Sequence, residues 1–198
     1  MLGAIEMRNF SKVVKKNVEP FLNDKGFTYS DGQFVKEQPN GIRTIIAFDN
    51  GGIDNESFQI IIFMNSVDLD NDQGAHCVTY FTGGSISKEG RKLPCNNIEV
   101  LNGRLERFVD SYDEIIESYI SSFETCADIA DALSNDKGLS SYRGDLYLLS
   151  GKKGNAKKAY KEWLAYLPTM SHLDNEAITN AVNATKQNIK RCGLFARA

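Results

Sequence analysis

The chain has 198 residues, 41% of them hydrophobic and 25% charged, with a formal net charge of -3 and a pI near 5.5. That length accommodates one large domain, or one domain with an appendage, and buries a core without disulfides or metals. The mild acidity argues against a broad positive field, and so against nucleic acid or an anionic membrane as the main partner.

The opening "MLGAIEMRNFSKVV" has no long apolar run and no cleavage-like end, so no signal peptide is expected. Phe10, Val13, Val14, Val18, Phe21 and Leu22 recur at helical spacing and predict an N-terminal helix. Pro20 lies inside that run and predicts a kink or a restart near Glu19. Lys25-Gly26-Phe27 is a helix stop, because glycine takes the left-handed conformation that other residues avoid. A period of two follows. Strands are expected near Gln33–Glu37, Ile42–Phe48, Phe58–Val67 and His76–Phe81. Asp31-Gly32, Asn40-Gly41, Asn50-Gly51-Gly52 and the cluster Asp68–Gly74 punctuate the chain, and such short connections make neighbouring strands antiparallel. Ile60, Ile62 and Met64 alternate with Ile61 and Phe63, so this strand is apolar on both faces and calls for two covers. The first helix supplies one; the other is either the helical second half or a second subunit of a homo-oligomer.

After a polar loop, Thr82–Leu101, helical spacing returns in Leu105, Phe108, Val109, Tyr112, Ile116, Tyr119, Ile120 and Phe123, then Ala127, Ala130 and Leu133. One helix of that length would reach roughly 40 Å, so a break is expected near Thr125. Further helices are predicted at Leu139–Leu149, Ala156–Leu167 and Asp174–Cys192, the last with Ile178, Ala181, Val182, Thr185 and Ile189 inward and Gly193 as its stop. The expected fold is α+β: an N-terminal helix, a four-stranded antiparallel sheet, then a helical half. Its parts are a sheet region, 1–101, and a helical region, 102–198, packed together as one continuous domain.

Gly144, Tyr147, Gly151, Ala156, Tyr160 and Pro168 stand in the order of a tetratricopeptide repeat, and residues 143–168 resemble a single helical hairpin of that family. Trp163 occupies a place where that family prefers a small residue, and no second copy occurs. The segments "LNDKGF", "FVK" and "FQIIIFMNSV" resemble a bacterial family known only as a domain of unknown function. That resemblance implies a bacterial source and an α+β fold, and carries no catalytic residues. Relatives of such orphan domains serve as immunity proteins against secreted or contact-dependent toxins, which extends that role to this chain as an implication.

Little in the sequence points to catalysis. The two histidines, His76 and His172, have no neighbours in a triad or zinc pattern, and neither a G-x-S-x-G elbow nor an H-E-x-x-H helix occurs. Asp68, Asp70 and Asp72 alternate as in a calcium loop, but Gln73 replaces the required glycine and Thr79 the closing glutamate. They read instead as a solvated acidic loop and a candidate contact for a basic partner, such as a toxin domain. "TGGSISKEGRK" misses the phosphate-loop spacing and reads as a mobile loop. Lys152, Lys153, Lys157, Lys158 and Lys161, with Tyr160 and Trp163, could stack nucleic-acid bases, but read first as a solvated helix face. Cys77, Cys95, Cys126 and Cys192 lie far apart, as reduced packing thiols of a cytoplasmic protein do. The function expected is a non-catalytic protein-binding module, with no cofactor and no metal. The alternative is a small enzyme whose pocket, between sheet and helices, would hold buried carboxylates such as Asp110 or Asp113.

Overall fold

The computed structural model describes residues 10–50, 56–69, 77–171 and 173–194, and it is an α+β fold. It divides into two compact units: the chain up to Phe123 without the segment 68–77, and that segment together with the chain from Glu124 onward.

In the first unit, helix α1 (Phe10–Asp24) buries Phe10, Val14, Val18 and Leu22 along one stripe. It continues through Pro20 without a restart. Pro20 lacks the N–H that would bond the Lys16 carbonyl, but both residues are exposed, so water takes the place of the lost partner. Gly26, at φ +86°, ends the helix. The Phe27 N–H donates to the Leu22 carbonyl and the Gly26 N–H to that of Asn23, both at 2.9 Å, which is the Schellman closure. Phe27 then drops into the core beside Leu22.

The chain turns back at once. Strand β1 (Thr28–Ser30) pairs with β2 (Gln33–Glu37) across Asp31 and Gly32, both at positive φ as a tight two-residue hairpin requires. Strands β3 (Ile42–Asp49), β4 (Ser57–Ser66), β5 (Cys77–Phe81) and β6 (Ile86–Ser87) extend the sheet in chain order, and β7 (Leu93–Pro94) returns to pair with β4. The four strands expected from the sequence are present, joined by three short ones. The Gly-rich stretch after Phe81 is not an open loop: Phe81 pairs with Ile86 and Tyr80 with Ser87. A Cβ on Gly90 would meet Gln59 and Tyr80, at 2.7 and 3.2 Å.

Register places Ile46 opposite Ile62 and Phe48 opposite Ile60, all buried on the face that receives the helices. Ile61 and Phe63, on the other face, are only half-buried. Helix α2 (Ile98–Asp110) starts at Asn97, whose side chain accepts from the Val100 N–H at 2.9 Å, and lays Leu101, Leu105 and Phe108 into the same core. The first unit thus runs past the change of period near residue 101.

The next buried residues, Tyr112, Ile116 and Ile120, follow Phe108 at intervals of four. An α-helix turns about 100° per residue, so each such step would drift about 40° off the buried face. Tyr112–Glu117 instead forms a wider π turn, which brings the row back onto the core before α3 (Ser118–Ser121).

The second unit is helical: α4 (Cys126–Ala132), a 3-10 turn (Lys137–Leu139), α5 (Ser140–Leu149), α6 (Lys153–Tyr166), a second 3-10 turn (Leu167–Thr169) and α7 (Asn175–Leu194). The break expected near Thr125 lies between α3 and α4. Helix α7 does not stop at Gly193 but runs to Leu194. No helix of the described residues is long and apolar enough to cross a membrane.

Candidate functional site

A shaped surface lies on the helical unit. Its scaffold starts at the head of α4. There Asp128 Oδ2 accepts from the backbone N–H groups of Thr125 and Glu124, at 2.7 and 3.0 Å, and from the Thr125 hydroxyl at 3.0 Å. Burial pushes this carboxyl up, but together these hydrogen bonds outweigh it and hold the group below its usual value.

Helices α5 and α6, joined by a turn with Gly151 at φ +70°, approach closely because Gly144 has no side chain. A Cβ at Gly144 would lie 2.4 Å from the Tyr160 ring. Tyr160 is fully buried and donates to Asp145 Oδ1 at 2.6 Å. Burial pushes the Asp145 carboxyl up, against the opposing effects of that hydrogen bond and of Arg191. Tyr147 donates to Asp131, and the buried Arg143 donates through Nη1 to Glu162 Oε2 at 3.1 Å. The RGD triplet at 143–145 is therefore internal scaffolding.

This frame holds up the far end of α6. A groove of about 510 Å³ is lined by Ser134, Asn135, Lys137, Glu162, Tyr166 and Thr169, with Ala165 between them. A second, of about 280 Å³, lies between α5, α6 and α7, walled by Leu139, Tyr142, Trp163, Ala181, Ala184 and Asn188. Trp163 belongs to one groove and Tyr166 to the other. Both are half-buried, with ring centroids 6.0 Å apart and planes inclined at 39°, so the pair forms a ridge with a groove on each side. Spacing could not reveal this: Trp163 stood out as an intruder in a repeat pattern and beside Tyr160 in a lysine-rich stretch, and Tyr166 carried no signal.

Of the residues singled out from sequence, Asp68 is exposed at the turn after β4, while Asp70, Asp72, His76 and His172, like residues 51–55 with their turn glycines, lie outside the described residues. Asp110 and Asp113 are exposed rather than buried, because the π turn puts Tyr112 on the core side and leaves the two carboxylates outward; Asp113 pairs with Lys25 at 2.6 Å. Tyr160 cannot stack on bases, since it is packed against Gly144. All four cysteines are buried, and none is in a disulfide. Burial raises the Cys192 thiol, and Lys157 and Arg191 only partly offset it. Among the described residues no cluster of three or more His, Cys, Asp or Glu could hold a metal.

Charge is unevenly spread along the chain. Residues 124–198 carry eleven Lys and Arg against eight Asp and Glu, and residues 1–123 carry twelve against eighteen. No family model, curated protein or solved structure matches the chain.

Proposed function

We propose that the protein is a non-catalytic binding protein that engages another protein through the Trp163–Tyr166 ridge of its helical unit. The observation that carries this reading is the ridge itself. It joins the chain's one Trp to a Tyr, each half-buried and each lining a groove. Trp, Tyr and Arg dominate binding energy where they stand against pockets that exclude water. Buried Arg143, paired to Glu162 of the groove wall, fixes the surface from below and lowers the cost of ordering it on binding.

Buried thiols outside any disulfide support a reducing compartment, and the cytoplasm is the proposed location. Neutralising a toxin is one form of this function; it rests on the resemblance to the orphan bacterial family. The enzyme alternative loses its two named carboxylates, since Asp110 and Asp113 are exposed.

The test places a photo-cross-linking residue at Ala165 in the groove, or at Lys12 on α1 as control, in an extract of the organism that encodes the chain. The expected result is a discrete protein adduct from position 165, absent from position 12 and lost in the Trp163→Ala/Tyr166→Ala variant. Equal adducts from both positions contradict it. So does turnover by the isolated protein in a broad hydrolase screen that a single pocket substitution abolishes.

A further inference from the structure

We propose that the segment taken up at this ridge is acidic: an extended stretch of a partner protein that carries several Asp or Glu residues beside one apolar anchor. The proposal rests on the protein-binding reading above and specifies its partner.

The charge around the first groove argues for it. Lys157, Lys158 and Lys161 are exposed on the outer face of α6. Lys158 precedes Glu162 by four residues and Lys161 precedes Ala165 by four, so the two lysines sit about one turn, roughly 6 Å along the helix axis, from residues that line the groove. Lys137 lines the groove directly. Among the described residues none of these lysines forms an ion pair. Of the nearby carboxylates, Glu162 is paired with Arg143, while Asp136 keeps its charge, its Oδ1 accepting only from the Gly138 N–H at 2.8 Å. Lys137, Lys158, Lys161 and Arg143 outnumber these two carboxylates, so the charge around the groove is positive in a chain whose net charge is negative.

The second groove supplies the anchor. Leu139, Tyr142, Trp163, Ala181 and Ala184 give it an apolar wall beside the polar Ser141, Thr185 and Asn188, and about 280 Å³ is room for one large side chain rather than a whole ligand. Ser134, Asn135 and Thr169 on the first groove can hydrogen-bond an extended peptide backbone. Nucleic acid fits less well, because Tyr160 is buried and cannot join Trp163 and Tyr166 in stacking successive bases.

Trp163 is the only tryptophan, so its emission reports directly on the ridge. The probes are synthetic peptide pools with randomised apolar positions on an Asp/Glu, an Asn/Gln or a Lys/Arg background, and a single-stranded oligothymidylate. The acidic pool should shift the emission, with affinity falling as salt rises. Lys158→Glu with Lys161→Glu should weaken it at least about tenfold, while Lys12→Glu leaves it unchanged. Equal binding of the Asn/Gln pool, insensitive to the double reversal, overturns the acidic partner and leaves the protein-binding reading standing. A response to the oligonucleotide alone, or to no probe at all, overturns both.

Discussion

Two residues of the helical unit make opposite demands on the same spot. Gly144 is small because the Tyr160 ring needs the space, and the Tyr160 hydroxyl needs Asp145 one residue further on. Gly144→Ala would ordinarily stabilise a helix, but here the added methyl meets a ring held by packing and by a hydrogen bond. Overpacking of this kind costs about 1–3 kcal/mol, and the denaturant midpoint of Gly144→Ala should fall accordingly. A midpoint at or above that of the parent would mean that the helices can separate without penalty. Asp145 itself gives a pH signature. Its folded pKa lies above the ordinary 3.8, so the folded state holds the proton more tightly than the unfolded one. The associated stability is present below the ordinary value and is lost as pH rises from there through the folded pKa. Asp145→Asn keeps an acceptor for Tyr160 and removes the titration. The stability difference, variant minus parent, should therefore grow in the variant's favour between acid and neutral pH. Unfolding curves at several pH values measure it, and a constant difference would contradict the raised pKa. Gly144 and Tyr160 were singled out in the sequence only by their place in a repeat-like order, and neither their contact nor the Asp145 hydrogen bond was legible, because sequence gives no direction to a side chain in three dimensions.

Elements with a sustained period could be read directly. The stripe of α1, the alternation of β4 and the Gly26 stop each repeat or close a local rule that needs no distant partner. Strands β1, β6 and β7 have two or three residues each, too few to show a period, and they exist because longer neighbours offer unpaired edges. The π turn left a trace, three successive intervals of four, that an α-helical reading absorbed as tolerance. Helix α4 shows how much a short element depends on its cap. It has seven residues, and Asp128 holds two backbone N–H groups at its entry. Asp128→Ala should cost about 1 kcal/mol at neutral pH. Because the Asp128 pKa is lowered, that cost should shrink as pH falls through the folded value, where the parent loses the same charged acceptor. An unchanged midpoint at neutral pH would show that the cap is dispensable.

At the scale of the whole molecule, the two units differ in kind. The first is a sheet with helices laid on one face around a core of aromatic and branched side chains, and it carries twelve Lys and Arg against fifteen Asp and Glu. The second is a run of short helices with the ridge of Trp163 and Tyr166; counted with the segment 68–77 that belongs to it, its eleven Lys and Arg are matched by eleven Asp and Glu. The acidic stretch at 68–72 drew attention in the sequence because clustered carboxylates are conspicuous in one dimension and a groove is not. Hydrogen–deuterium exchange of the protein alone and with the partner captured from position 165 is the most direct test of the ridge as the binding surface. The expected result is slowed exchange in Lys137–Tyr142 and in Lys161–Met170, with little change in β2, β3 and β4. Protection confined to the sheet strands, with the end of α6 exchanging as in the free protein, would contradict it.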